Sequence, residues 1–241
     1  MFCLVATLCA SLTWTCLFTV FSLCISLPIP NKQMWDLRNR LVSFVHGLFC
    51  IWFATSDLMN GMRLGALNTE FHELVLCGSL GYFVYDTICM LVFGICDKMI
   101  ILHHCLVISA VVSCVYSGSG GTEAMMGYFV SEFTNPLLHF KEILKLVNQK
   151  KTQIYFFAEL AFFLGYFFSR YAVGIPAIYL IVTSNEVIIS ERIAGLGLEI
   201  MFMYWGRTMW GIFHKRIQER RDRIKNGIVL PWTVAVAYKE E

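Results

Sequence analysis

Apolar residues along this chain come in long unbroken runs rather than at strand or amphipathic-helix intervals. Averaged over a window of about 19 residues, they form seven segments, 4–27, 40–59, 71–95, 99–117, 124–147, 154–182 and 193–214. Each matches or somewhat exceeds the roughly 17 to 25 residues that carry a helix across a bilayer core. The pattern predicts an all-α, polytopic transmembrane bundle of about seven spans. The sixth segment is the least regular: Pro176 interrupts it and the polar stretch Thr183-Ser184-Asn185-Glu186 follows, so a kink or a re-entrant end is expected there. The first segment is expected to be a retained span rather than a cleaved signal, because no Lys or Arg precedes it, it is too long, and no small-residue cleavage site comes before Pro28. The connections are short and leave no room for a second folded domain.

Composition agrees with this reading. Hydrophobic residues make up 57% of the 241 residues and charged residues 15%, whereas soluble domains carry about a quarter charged residues. A formal charge of +2 is too small for a nucleic-acid protein. Its placement is more informative. With seven spans, one side holds Lys32, Arg38, Arg40, Lys98, Lys145, Lys150, Lys151 and the run Lys215 to Lys225, and the other holds Arg63 and Arg192. The positive-inside rule then makes the basic side cytoplasmic and the N-terminus lumenal or extracellular. The basic tail fixes topology as a solvated helix end, or binds anionic headgroups. Ten cysteines lie almost entirely within the apolar runs without a CxxC pair, and read as small apolar packing residues. Lys239, near the C-terminus and without a basic neighbour, is a weak retrieval signal, so the endoplasmic reticulum and the plasma membrane both stay open.

Ionisable residues inside apolar spans cost roughly 2.5 to 3.5 kcal/mol each on insertion scales and normally face protein or water. At about 1.5 Å per residue from each span's basic end, His46, Asp86, His103, His104, His139, Glu159 and Arg207 fall into one slab, some ~6 to 13 Å deep. If they face one another, they line a cavity opening toward the cytosol. Tyr128, Glu132, Asn135, His139 and Glu142 recur at steps of 4, 3, 4 and 3, a polar stripe along one helix that cannot face lipid. Ser79, Tyr82 and Asp86 repeat the pattern in the third span, and Pro136 would free a carbonyl beside the stripe. A lone polar residue in a span is more often interhelical glue; a stripe with a His pair at matching depth favours a site.

Neighbouring imidazoles on a helix point about 100° apart, so one of His103 and His104 can meet a substrate while the other meets an orienting partner such as Asp86. A His held by a carboxylate acts as a general base or as a nucleophile toward an acyl group. No recognised zinc spacing links His46, His103, His104 and His139, and no metal is expected.

Several of these residues fall in stretches that resemble a known family. Arg40 to Gly47, Gly81-Tyr82-Phe83 with Asp86, Leu102-His103-His104 with Ser109, Ser117 to Glu123, Ser131-Glu132-Phe133-Thr134-Asn135-Pro136, and Arg170 are together similar to the TRAM-LAG1-CLN8 homology domain, the TLC family. The resemblance implies a domain over 38–215, preceded by a first span and loop over 1–37 and followed by a basic tail over 216–241. It also implies a core of six helices around an acyl-chain tunnel, as in the ceramide synthases, with the paired His of the active site carried onto His103 and His104. Those enzymes follow the pair with a His-Asp motif and a further Asp, where this chain has Ser131-Glu132 and Asn135; Glu132 and His139 are the available substitutes.

Three functions therefore stand as expectations. The first is a lipid-handling protein of the TLC family that binds membrane lipids, with a fatty acyl or sphingoid ligand, and influences lipid composition. Its cavity would be lined by His46, Tyr82, Tyr128, Glu132, Asn135, His139, Glu159, Arg170 and Arg207. The second is an acyl-CoA-dependent acyltransferase using His103, His104 and Asp86, with acyl-CoA as co-substrate, no resident cofactor, and Arg207 or Lys98 receiving its phosphates. The third is a transporter, for which only Pro136 and Pro176 suggest broken helices.

Overall fold

A computed structural model describes residues 2–61 and 63–234; Lys239 and the end of the expected tail lie outside them. The chain folds into α1 (Phe2–Cys24), α2 (Asn31–Met59), α3 (Glu70–Val92), α4 (Lys98–Ser117), α5 (Gly121–Glu132), α6 (Asn135–Leu146), α7 (Gln153–Phe167), α8 (Ile175–Thr183) and α9 (Ile189–Lys225). A π-helical turn, Phe168–Gly174, joins α7 to α8.

Helix ends fall where capping chemistry puts them. Thr69 accepts from the His72 amide while the His72 ring accepts from the Thr69 amide, which starts α3. Asp97 and Thr152 cap α4 and α7 in the simpler way, each accepting one amide of the first turn. Gly118, at φ +69°, ends α4 in the left-handed conformation that only glycine adopts cheaply.

Among the described residues, five helical stretches are long and apolar enough to cross a membrane: α1, α2, α3, α4 and the continuous run Gln153–Thr183. The apolar segments 124–147 and 193–214 do not add two more by that measure. The former is split at Phe133 and Thr134 into two 12-residue helices, each only ~18 Å long. Pro136 lies in the first turn of α6, where its missing amide costs nothing, so the break falls just before it. The latter lies within a 37-residue helix that continues into the charged tail. The irregularity expected around Pro176 falls just before it, as the π-helical turn.

The outer surfaces of the helices carry large apolar side chains such as Leu4, Leu8, Tyr116, Ile193 and Ile200, all exposed. Water would not support such a surface, and an integral membrane protein requires it. The same logic accounts for Cys9, Cys16, Cys24 and Cys105, which are exposed on helices, while Cys50, Cys77, Cys89 and Cys114 are buried.

Helix α1 lies mainly along α3. A Cβ on Gly81 would sit 2.6 Å from the Ala10 Cβ and 2.8 Å from the Ser11 backbone nitrogen, so glycine permits the close approach. Ser11 Oγ and Trp14 Nε1 then donate to the carbonyls of Gly81 and Gly78, at 3.0 Å each. Helix α2 packs against α5 and α6, and α4 against α9.

At the end of the bundle opposite the basic residues, the connection before α3 is fastened to the α4–α5 turn. Asn68 donates to the Cys114 and Gly118 carbonyls and accepts from Gly121, all within 2.9 Å.

Candidate functional site

A cavity of about 150 Å³ opens among α2, α3, α4, α5, α6, the π-helical turn and α9. It shares Asp36, Arg40 and Ile95 with a more open vestibule that also meets Lys32, Gln33 and Cys96. The cavity therefore faces the end of the bundle where the basic residues cluster. Of the residues singled out from the sequence, Tyr82, Asp86, His103, His104, Glu132, Asn135, His139 and Arg170 line it.

On one wall nearly every polar atom has a partner. Asn39 Nδ2 donates to Asp86 Oδ1 at 2.5 Å, and Tyr85 donates to Asn39 Oδ1 at 2.8 Å. Asp86 Oδ2 lies 3.5 Å from His104 Nε2, and His104 Nδ1 lies 3.0 Å from Thr87 Oγ1. The Thr87 hydroxyl proton goes to the Phe83 carbonyl at 2.7 Å, so Thr87 accepts and His104 Nδ1 carries hydrogen. Both ring nitrogens of His104 thus face polar partners.

The opposite wall is different. His103 Nδ1, His139 Nδ1 and Arg170 Nε are buried atoms without a hydrogen-bond partner among the described residues. Arg170 is held on the π-helical turn, its other nitrogens donating to Thr134 Oγ1, Ser169 Oγ and the Ser131 carbonyl. All three acceptors are neutral. Its guanidinium also lies over the Tyr166 ring, 4.7 Å from the centroid. Glu132 accepts from Asn135 Nδ2 at 2.7 Å. Unpartnered buried polar atoms are expensive in a native structure and call for an occupant, whether water or ligand.

Four expected cavity residues sit elsewhere. His46 lies behind Tyr82, stacked on its ring at 3.6 Å between centroids, with Nε2 3.0 Å from Ser79 Oγ and 3.2 Å from Cys50 Sγ. Its other nitrogen is 4.0 Å from Glu132, so it supports the wall from the rear. Tyr128 lines a second, mostly apolar cavity of about 100 Å³ with Val107, Val111, Gly127, Gly195 and Leu198. Ser131 borders both cavities. Glu159 pairs with Arg216 between α7 and α9, at 3.2 Å, and Arg207 is exposed outside the cavity lining. Glu142, the last residue of the polar stripe, pairs with Lys141 and Lys145. Lys98 is exposed.

Sequence reasoning missed Asn39 and Ser43. They precede His46 and Cys50 at steps of 4, 3 and 4, the same signal that marked the stripe on α5 and α6. Among the described residues, no three His, Cys, Asp or Glu side chains gather closely enough to hold a metal ion.

Comparison with known proteins places this geometry in context. The sequence profile described as the TLC domain, TRAM_LAG1_CLN8, matches residues 5–212. TLC domain-containing protein 1 of Gallus gallus is 29% identical over 161 residues, covering 61% of this chain and 60% of that protein. TLC domain-containing protein 2 of Danio rerio is 28% identical over 142 residues, covering 54% and 56%. The matched regions thus span somewhat under two thirds of these relatives.

Proposed function

From the premise that this chain belongs to the TLC domain family, we propose that it is a lipid-handling membrane protein whose cavity holds the polar group of an acyl-chain or sphingoid lipid and which influences membrane lipid composition. One observation carries the reading: His103, His139 and Arg170 line a single cavity that shares Ser131 with an apolar one, and each carries a buried nitrogen without a hydrogen-bond partner among the described residues. An amphiphile answers both demands. Its polar group meets these side chains, and its chain fills the slot beyond Ser131, the part that the family's tunnel would play. The expected orientation, with the basic end cytoplasmic, puts the vestibule on the cytosolic side of the endoplasmic reticulum or plasma membrane.

Native mass spectrometry of the purified protein is expected to show co-purifying lipid, reduced at least tenfold in His103→Ala. A consistently empty bundle would overturn the reading. In cells, lipidomic changes on removing the protein are expected to be rescued by the wild type and not by the His103→Ala/His104→Ala double variant.

A second reading, acyl transfer from acyl-CoA, is favoured by one feature: a free ring nitrogen on His103 beside a His104 that is oriented by Asp86. His103 is then the base or nucleophile, and His104 with Asp86 forms its neighbouring positioning pair. Incubating membranes with acyl-CoA and a sphingoid base or lysolipid tests it. Turnover abolished by His103→Ala supports this reading, and turnover unchanged by that variant excludes it.

A further inference from the structure

Beyond its apolar stretch, α9 runs on through Lys215 to Lys225, where six basic residues accompany two acidic ones. One of the acids is already committed. Arg216 donates to Glu219 at 2.8 Å, and this bond holds the Glu219 carboxyl below its ordinary range. Arg220 and Arg223 have no carboxylate within 4.0 Å among the described residues. The Arg220 guanidinium lies over the Phe156 ring, 4.2 Å from its centroid.

After α9 the chain turns at Gly227, at φ +67°, and returns to the start of α7. Gln153 there donates its amide to the Pro231 carbonyl at 2.9 Å and its side chain to the Leu230 carbonyl at 2.8 Å. Gln149 and Val234 exchange two hydrogen bonds, at 2.6 and 2.9 Å, and Trp232 stacks on Phe157. This strap supplies acceptors that the first turn of α7 would otherwise lack. Between strap, α7 and α9 it leaves a cleft of about 190 Å³, walled by Phe156, Phe157, Ile224 and Ile228 and carrying Arg220 and Arg223. Ile224, Val229 and Trp232 beside it are more than half exposed.

We propose that this cleft binds the phosphate of an anionic membrane phospholipid, with Arg220 and Arg223 as its charge partners and the apolar wall taking the start of the acyl chains. Two Arg side chains without carboxylates match a phosphate. The apolar wall, continuous with an exposed Trp and aliphatic rim at the level where α7 enters its apolar run, matches lipid rather than a soluble phosphate. The site is separate from the central cavity, and either can fail without the other.

Hydrogen exchange of the full-length protein in nanodiscs tests it, comparing discs of phosphatidylcholine alone with discs containing phosphatidylserine. Amides of 215–234 and 149–157 are expected to exchange at least threefold more slowly in the anionic discs. Arg220→Gln/Arg223→Gln is expected to abolish the difference. Arg221→Gln/Lys225→Gln, which removes the same charge from outside the cleft lining, is expected to retain it. Unchanged exchange of α2 and α3 amides identifies folded variants, and the single Arg223→Gln variant, reading at least a halved effect, serves where the double variant does not fold. Identical exchange in both lipids for the wild type would overturn the proposal. So would equal loss in both double variants, which would mean diffuse attraction rather than a site, or full suppression of the difference by millimolar inorganic phosphate at constant ionic strength.

Discussion

The two walls of the central cavity are built to opposite rules. On the side of α2, α3 and the His104 face of α4, a continuous chain runs from Tyr85 through Asn39, Asp86 and His104 to Thr87. On the side of His103, α6 and the π-helical turn, three buried nitrogens stand without partners. A wall whose polar contacts are nearly complete resists rearrangement and positions its neighbours. A wall with open valences is where the proposed lipid would supply partners. The difference divides the His pair: adjacent in sequence, His104 is tied into the framework and His103 stands on the open wall.

Substitutions on the two walls sharpen this contrast, because their effects on stability and on lipid occupancy are expected to run in opposite orders. Asp86→Ala has the largest expected effect on stability. It leaves Asn39 Nδ2 buried without an acceptor and removes the carboxylate beside His104 Nε2, and is expected to cost about 3 kcal/mol, measured by reversible unfolding in mixed micelles. Arg170→Met keeps the stem volume but strips donors from Thr134 and Ser131. A loss of about 1 to 2 kcal/mol is expected, with a fall in co-purified lipid. His103→Gln removes no hydrogen bond formed within the protein and is expected to change stability by about 0.5 kcal/mol or less, yet to give the greatest loss of bound lipid per unit of stability. If His103→Gln destabilises as much as Asp86→Ala, the walls do not differ and the contrast falls.

The ionisable residues were legible from the sequence as a set; their grouping was only partly so. Counting residues along a span gives depth but not azimuth, which is why Glu159 and Arg207 fell into the same slab as Asp86 and His139 although neither reaches the cavity. The stripe Glu132, Asn135 and His139 carries azimuth through its 4-and-3 spacing, and all three residues do line one space. The break at Thr134 was not legible, because Pro136 reads alike in a kinked helix and at the first turn of a new one. The polar framework on α2 had the right spacing, but Asn39 and Ser43 carry no charge, and on that helix only the ionisable His46 stood out. The hydrogen on His104 Nδ1 depends on where the Thr87 proton points, and no sequence pattern records that.

The π-helical turn at Phe168–Gly174 gives the sixth apolar segment a property the other helices lack. In an α-helix every residue added or removed swings all that follows by about 100° about the axis, so chain length and angular phase are locked together. A π turn stores a surplus residue without passing that rotation on. Shortening 168–174 by one residue would let the segment relax to ordinary α geometry with α7 and α8 still facing their present neighbours, while Arg170 alone would lose its bearing. The presence of this cation in the cavity is thus encoded by a count of residues as much as by their kinds.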